Sequence, residues 1–272
     1  MIPRSITQVH KPVADILNDD VIACARLLER GDPERFRAVM ATPLEVRKTL
    51  FPIFAFNLEV ARAPWVTKEP LIAEMRLQWW QDVLSEISDG RAVRRHEVAT
   101  PLAISLTPAA AEVLKAVVEA RRHDIYPDPF ATNADFQAYI LATSGCLMRV
   151  AAQALGPADD QVLADFGYAA GVANYLKALP ELTEAGKTHI PDTSEDAVQL
   201  LAHEALLKLR SARKARGKIS KKAGYALLTG WQSGAVLAAY ARRSPAIAYG
   251  GDRRGVRLSG VRLLGRSLLQ RW

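Results

Sequence analysis

Apolar residues recur along this chain at the three- and four-residue spacing of helices, and no segment shows the two-residue alternation of a strand. The pattern predicts helices over residues 13–30, 43–62, 70–88, 108–123, 133–155, 159–179, 194–214 and 220–242. Most prolines fall between these segments or at their edges. Pro52 lies inside the second segment, where it should kink the helix or displace its start. The pattern therefore predicts one all-α domain over residues 1–250.

The segment over residues 159–179 is apolar nearly all round, which predicts that it lies at the centre of the helical bundle. It carries small side chains at helical spacing, namely Gly167, Gly171, Asn174 and Ala178. Such a stripe either lets another helix approach closely or leaves room for a ligand.

Two arginines fall on stripes that are otherwise apolar. Arg47 shares a face with Leu50 and Phe54, and Arg76 falls among Ile72 and Trp79. Because an unpaired buried guanidinium is costly, each must pair with a carboxylate, reach a water-filled cavity or meet an anionic ligand. The ligand hypothesis predicts a cavity with cationic walls and an apolar floor, which suits an amphiphile with an anionic head and a hydrocarbon tail.

The formal net charge of +7 is unevenly distributed. Residues 208–222 carry eight basic and no acidic side chains, and the segment after residue 242 is also basic. This pattern favours an anionic partner surface, either a membrane or a nucleic acid. The alternative is a solvated helix face followed by a flexible tail.

Several classes of protein are disfavoured by what the sequence contains. Cys24 and Cys146 do not form a disulfide framework, and the five histidines lack metal-ligand spacing. No apolar run is long enough to span a bilayer, and residues 1–20 lack the apolar core of a secretory signal. Without a nucleic-acid-binding motif, no nucleic-acid partner is expected. We therefore expect a cytoplasmic protein, peripheral on the inner face of a membrane.

Several motifs resemble those of the squalene/phytoene synthase family. They are P-x-x-x-R-x-x-L-x-x-x-x-A-F-N-x-E-x-A-R from residue 43, EP-x-I-x-x-x-R-L-Q-W-W from residue 69, YILATSGCLMRVAAQALG from residue 139 and GVANYLKALPELTEAGKTHIP from residue 171. The resemblance covers residues 10–250 in the expected order. It implies the isoprenoid-synthase-like helical bundle around a central cavity. Active members of the family join two prenyl diphosphates head to head, with Mg²⁺ held by two Asp-rich motifs.

The chain departs from the family where those two motifs fall. The five positions carry Asn57, Ala61, Ala178, Glu181 and Leu182, so only Glu181 retains a carboxylate. Because Mg²⁺ requires several hard oxygen ligands, one carboxylate cannot clamp several ions against a diphosphate. We therefore expect no cofactor, and Mg²⁺ only if the chain is an active head-to-head prenyltransferase after all.

The signatures A-F-N-x-E and R-L-Q-W-W resemble a branch of the family without these motifs, which includes a mitochondrial assembly factor for respiratory complex I. The resemblance implies a non-catalytic protein that binds a prenyl lipid or prenyl diphosphate, or assists assembly of a membrane complex with a respiratory-complex subunit as partner. The alternatives are an active prenyltransferase and a nucleic-acid-binding helical protein. The predicted cavity residues are Arg47, Phe54, Asn57, Arg62, Arg76, Trp79, Gly171, Asn174, Lys177 and Lys187.

Residues 251–272 are predicted to form a basic amphipathic tail. On a helical wheel Leu258, Val261, Leu268, Leu269 and Trp272 share one side. An anionic membrane surface could fold this segment by burying the apolar side and attracting the arginines. The predicted membrane contacts are Arg257, Arg262, Arg266 and Trp272. The alternative is a tail that packs back on the bundle.

Overall fold

The computed structural model describes residues 18–242, 260–269, 271 and 272. These residues form thirteen α-helices, and the described part of the chain contains no strand. The helices are α1 (Asp19–Gly31), α2 (Pro33–Met40), α3 (Leu44–Arg62), α4 (Pro70–Ser88), α5 (Ala99–Ser105), α6 (Pro108–Arg121), α7 (Asn133–Ile140), α8 (Cys146–Gln153), α9 (Asp160–Glu184), α10 (Glu195–Lys214), α11 (Lys221–Leu227), α12 (Ser233–Ala241) and α13 (Gly260–Leu268).

The all-α prediction is confirmed, and each of the eight predicted segments contains helix. Two predicted helices are interrupted: a π-helical turn, Leu141–Gly145, joins α7 to α8, and a 3₁₀ turn, Leu228–Gly230, joins α11 to α12. The sequence prediction missed α2 and α5. Helix α2 has its own start signal, because the Asp32 side chain accepts a hydrogen bond from the Arg35 amide at 3.0 Å. Part of the first predicted segment, residues 13–17, lies outside the described residues.

Helix α9 forms the centre of the bundle, as predicted. It is buried on nearly all sides and packs against α8, α10, α12 and the π-helical turn. Most of the buried apolar side chains from α1 to α12 belong to one continuous cluster. The boundary predicted near residue 250 lies outside the described residues.

The small residues of α9 serve both of the purposes that the sequence left open. A Cβ atom on Gly167 would lie 2.8 Å from the Gly145 Cα, so this glycine allows the π-helical turn to approach closely. Further along the same stripe, Asn174 and Ala178 line a cavity. Close packing at one end of the stripe thus positions an open space at the other.

Helix α9 continues past residue 179, where the sequence prediction ended it. Pro180 lies inside the helix and has no amide hydrogen to donate to the Leu176 carbonyl. The Tyr240 hydroxyl donates to that carbonyl instead, at 2.6 Å. The side chain from α12 therefore compensates for the bond that proline removes.

The described part of the C-terminal tail packs back on the bundle. Trp272 is 7% exposed, contacts the Phe166 ring at 5.0 Å between centroids, and accepts a hydrogen bond from Arg213 through its carbonyl oxygen. The membrane contact predicted for Trp272 is wrong in this arrangement, because burial in the core leaves it little surface to offer. Arg266 donates to the Trp231 carbonyl at 2.8 Å. Arg257 lies outside the described residues, as does the side chain of Arg262.

No helix among the described residues combines the length and hydropathy needed to cross a bilayer.

Candidate ligand-binding cavity

A cavity of about 740 Å³ lies between α3, α9, α12 and the π-helical turn. On its exposed side stand Asn174 and Lys177 of α9. Asp124, Tyr139 and His189 line it and are buried. The cavity therefore runs from a solvent-accessible side to a buried polar cluster.

All five positions of the degenerate motifs line this cavity. Asn57 and Ala61 on α3 face it together with Ala178, Glu181 and Leu182 on α9. Gly171, Asn174 and Lys177, which were also predicted as cavity residues, line it as well. The fold thus brings together two sequence segments more than a hundred residues apart.

The residues present do not fit a magnesium cluster. Glu181 is the one carboxylate at the motif positions, and the nearby carboxylates have other partners. Asp32 pairs with Arg35 at 3.2 Å, and Glu34 pairs with Lys177. Within the described parts of the chain, no group of three or more His, Cys, Asp or Glu side chains could hold a metal ion.

The basic side chains that line the cavity are all engaged with carboxylates. Arg35 pairs with Asp32, Lys177 with Glu34, and Arg121 with Asp124 at 2.8 Å. With Glu181, the described lining carries four acidic and three basic residues. Its charge balance is therefore unfavourable for a diphosphate, which needs cations that are free to bind it.

Arg47 and Arg76 do not line the cavity, so this part of the sequence prediction is wrong. Arg47 donates to the carbonyl of Met40, the last residue of α2, at 2.7 Å, and to the carbonyl of Thr42 at 2.8 Å. Burial lowers the pKa of its guanidinium group. Arg76 is exposed, because α4 buries Leu77 and Trp80 instead of the face around Ile72.

The other predicted cavity residues also lie elsewhere. Phe54 is buried in the core beneath the Arg35 guanidinium, which lies 5.2 Å from its ring. Trp79 packs against Trp80 and His96, outside the cavity lining. Arg62 is exposed. Lys187 lies 4.6 Å from the ring of Trp65, a rim residue that lines the cavity.

A buried polar cluster that the sequence analysis missed forms one wall of the cavity. Asp124 accepts hydrogen bonds from Arg121 at 2.8 Å and from the Tyr139 hydroxyl at 2.7 Å. Burial opposes the charge of Arg121, but Tyr139 and Asp124 beside it raise its pKa above the usual value. Burial raises the pKa of Tyr139 as well, so its hydroxyl stays protonated. Two donors therefore satisfy the buried carboxylate.

His189 completes this cluster. Its Nδ1 lies 3.7 Å from Asp124 Oδ1, and its backbone amide donates to the Tyr175 hydroxyl oxygen at 2.7 Å. Its Nε2 is buried and has no hydrogen-bond partner. Burial lowers the pKa of this imidazole. The residue therefore contributes a neutral imidazole ring to the cavity wall.

An exposed apolar patch extends from the cavity rim along the start of α4. Its members, Trp65, Val66, Leu71, Ile72 and Met75, are each 45–73% exposed. Trp65 belongs to both the patch and the cavity lining. The exposed basic residues Arg62, Lys68 and Arg76 lie in the same stretch of sequence. We call residues 62–76 the rim patch.

The basic segment over residues 208–222 is partly used inside the bundle. Lys208 pairs with Asp165 at 3.2 Å and Lys218 with Asp159 at 3.4 Å. Arg213 binds the Trp272 carbonyl. Part of the positive charge there thus holds helices and tail together instead of forming a free surface.

Comparison with known proteins identifies a protein family and several curated relatives that this chain resembles. The family model described as squalene/phytoene synthase matches residues 28–254. A human protein named NADH dehydrogenase (ubiquinone) complex I, assembly factor 6, is 25% identical over 177 residues, which are 62% of this chain and 52% of that protein. The Drosophila melanogaster homologue is 26% identical over 167 residues, 58% of this chain and 50% of that protein. The chain thus matches about half the length of these curated relatives.

Two solved structures share the fold. A dehydrosqualene synthase in complex with ligand superposes with a TM-score of 0.76 at 14% identity, covering 96% of this chain and 100% of that one. The squalene synthase HpnC from Alicyclobacillus acidocaldarius superposes with a TM-score of 0.68 at 15% identity, covering 86% and 99%. These likenesses establish the isoprenoid-synthase-like architecture.

Proposed function

Because the chain belongs to the squalene/phytoene synthase family, we propose that it binds a prenyl lipid in its cavity without turning it over. The observation that carries the proposal is the cavity lining. Four of the five motif positions, Asn57, Ala61, Ala178 and Leu182, lack a carboxylate, yet the cavity between them is retained at about 740 Å³. A family member that has the cavity but lacks the metal ligands can bind a prenyl chain, but it lacks the groups that would stabilise a departing diphosphate.

The chemical reason lies in the leaving group. Breaking a carbon–oxygen bond to a diphosphate requires electrostatic stabilisation of the departing charge, which metal ions commonly supply. Here Lys177 and Arg35 stand near the motif positions, but both are paired with carboxylates. A diphosphate would have to displace Glu34 or Asp32 to reach them. This disfavours a prenyl diphosphate as the bound ligand.

We further propose a role in assembling a membrane complex, as the names of the curated relatives indicate for those proteins. The rim patch supports this role, because it combines exposed apolar side chains with exposed Arg62, Lys68 and Arg76 beside the cavity. A surface of this composition suits the anionic inner face of a membrane. A lipid could then move between bilayer and cavity, and a respiratory-complex subunit could be met at the same surface.

Two measurements test the proposal. The purified protein, incubated with farnesyl or geranylgeranyl diphosphate and Mg²⁺, should yield no C30 or C40 hydrocarbon above a boiled control, while a dehydrosqualene synthase run in parallel does. Steady product formation would overturn the non-catalytic assignment and favour the head-to-head prenyltransferase.

Calorimetric titration with geranylgeraniol should show saturable binding. Filling the cavity with Ala178→Trp should abolish it, because Ala178 lines the cavity. Glu184→Trp, at an exposed position of the same helix, is the matched control and should bind normally. Equal binding by both variants would place the lipid elsewhere and overturn the assignment of the cavity.

A further inference from the structure

Two buried side-chain nitrogens of residues that line the cavity lack a hydrogen-bond partner, Arg121 Nε and His189 Nε2. His189 Nε2 makes no hydrogen bond, although the side chain is only 3% exposed and lines the cavity. Buried polar atoms are almost always paired, because leaving water without a new partner is unfavourable. An unpaired nitrogen at a cavity wall is therefore a place where a ligand atom would be stabilised.

The neighbours of His189 determine whether that ligand atom must donate or accept a hydrogen bond. Its Nδ1 faces the Asp124 carboxylate at 3.7 Å, and this carboxylate accepts hydrogen bonds from its other two neighbours, Arg121 and Tyr139. The hydrogen of the neutral ring is therefore favoured on Nδ1, which leaves Nε2 as an acceptor. Burial lowers the pKa of His189, so the neutral ring prevails near pH 7. A ligand atom that meets Nε2 must donate a hydrogen.

Tyr175 offers the complementary group on the same wall. Its hydroxyl oxygen accepts hydrogen bonds from the His189 amide at 2.7 Å and the Ile190 amide at 3.2 Å. Its own hydrogen is then left to be donated elsewhere. A hydroxyl is the smallest group that can both donate to His189 and accept from Tyr175.

We propose that the cavity recognises a neutral amphiphile by its hydroxyl head group, which donates to His189 Nε2, with the hydrocarbon chain in the remaining cavity. This inference rests on the proposed function and narrows its ligand class to hydroxyl-bearing prenyl lipids. An anionic head is disfavoured at this wall, because the Asp124 carboxylate lies 3.7 Å from His189 Nδ1 and already forms the ion pair with Arg121. A cationic head would find Asp124 satisfied by two donors.

The test compares ligands that differ only in the head group. Farnesol, farnesyl methyl ether and farnesyl diphosphate, the last without Mg²⁺, are titrated into the full chain by calorimetry. Farnesol should bind about three- to tenfold more tightly than the ether, the range expected for one net hydrogen bond. In His189→Phe this preference should vanish while the ether binds as before. His123→Phe is the matched control, because His123 lies 4.9 Å from the His189 ring but outside the cavity lining.

A second measurement uses the wild-type protein, so it does not require that any variant folds. In the ¹⁵N spectrum of the histidine side chains, farnesol should shift the His189 Nε2 resonance and leave that of His96 unchanged. Equal affinity for alcohol and ether would overturn the hydroxyl assignment and leave lipid binding intact, as would tightest binding of the diphosphate. Absence of binding by all three would overturn both the hydroxyl assignment and the proposed function.

Discussion

The Tyr240 hydroxyl donates a 2.6 Å hydrogen bond to the Leu176 carbonyl, the group left without an intrahelical donor by Pro180. The bond joins α12 to α9 beside the cavity, where both Pro180 and Tyr240 are lining residues. It allows α9 to continue through a proline as far as Glu181 and Leu182. The geometry of these two motif positions therefore depends on a side chain more than fifty residues away.

Removing that hydroxyl should destabilise the fold. Tyr240→Phe leaves a buried carbonyl without its donor, which typically costs about 1–3 kcal/mol in the free energy of unfolding. Urea denaturation measures the change. Pro180→Ala restores a backbone donor, so Tyr240→Phe should cost less in that background than in the wild type. Additive effects in the double variant would contradict this explanation. Tyr126→Phe, at an exposed tyrosine, should change stability little.

Breaking the buried ion pair of the polar cluster should have a larger effect. Asp124→Asn keeps the shape of the side chain but leaves the Arg121 guanidinium without its counter-charge, at a cost of about 3–5 kcal/mol. The measurement is again the free energy of unfolding in urea. The exposed pair Arg91–Asp89 is the control, and Asp89→Asn should cost less than about 1 kcal/mol. Similar losses in the two variants would show that burial of Asp124 carries no special weight.

Stability should fall in mildly acidic solution because of His189. Burial lowers its pKa in the folded state, so the unfolded chain takes up a proton first as the pH drops through about 6.5. Asp124 favours protonation, whereas Arg121 and His123 oppose it. The wild type should therefore lose more stability between pH 7.5 and 5.5 than His189→Phe does. Parallel pH profiles of the two proteins would assign the acid sensitivity to other groups.

The sequence specified the helices better than their orientations. Helix α9 was placed at the centre because it is apolar all round, and no choice of face was needed. Helix α4 has apolar residues on two sides, around Ile72 and around Leu77, and its periodicity does not say which side is inside. Choosing the wrong side placed Arg76 among the predicted cavity residues, whereas it is exposed and does not line the cavity.

The cavity could be predicted only where a motif or the small-residue stripe of α9 marked it. Asn57 and Ala178 were found because they occupy positions where the family has carboxylates. Asp124, Tyr139 and His189 come from three separate segments and carry no periodic or motif signal that joins them. Their assembly results from tertiary packing.

The final prediction concerns the surface that meets a membrane. Leu71 and Met75, at 73% and 64% exposure, lie one helical turn apart in the rim patch. With Arg62, Lys68 and Arg76 close in sequence, this patch should adsorb to vesicles that contain anionic lipid. The full-length protein should float with such vesicles and lose binding in high salt, because salt screens the attraction of the basic groups.

Variants on two faces of the protein distinguish binding through the rim patch from non-specific hydrophobic adsorption. Leu71→Glu with Met75→Glu should abolish flotation, whereas Leu200→Glu with Leu207→Glu on α10, at similar exposure of 58% and 61%, should not. Deleting residues 253–272 is a poorer test, because it removes Trp272 from the core together with the exposed Leu264, Leu268 and Leu269. If flotation persists in Leu71→Glu with Met75→Glu but is lost in Leu264→Glu with Leu268→Glu, the membrane contact lies on α13 instead. No flotation of the wild type would exclude a lipid surface and leave a protein partner as the occupant of the patch.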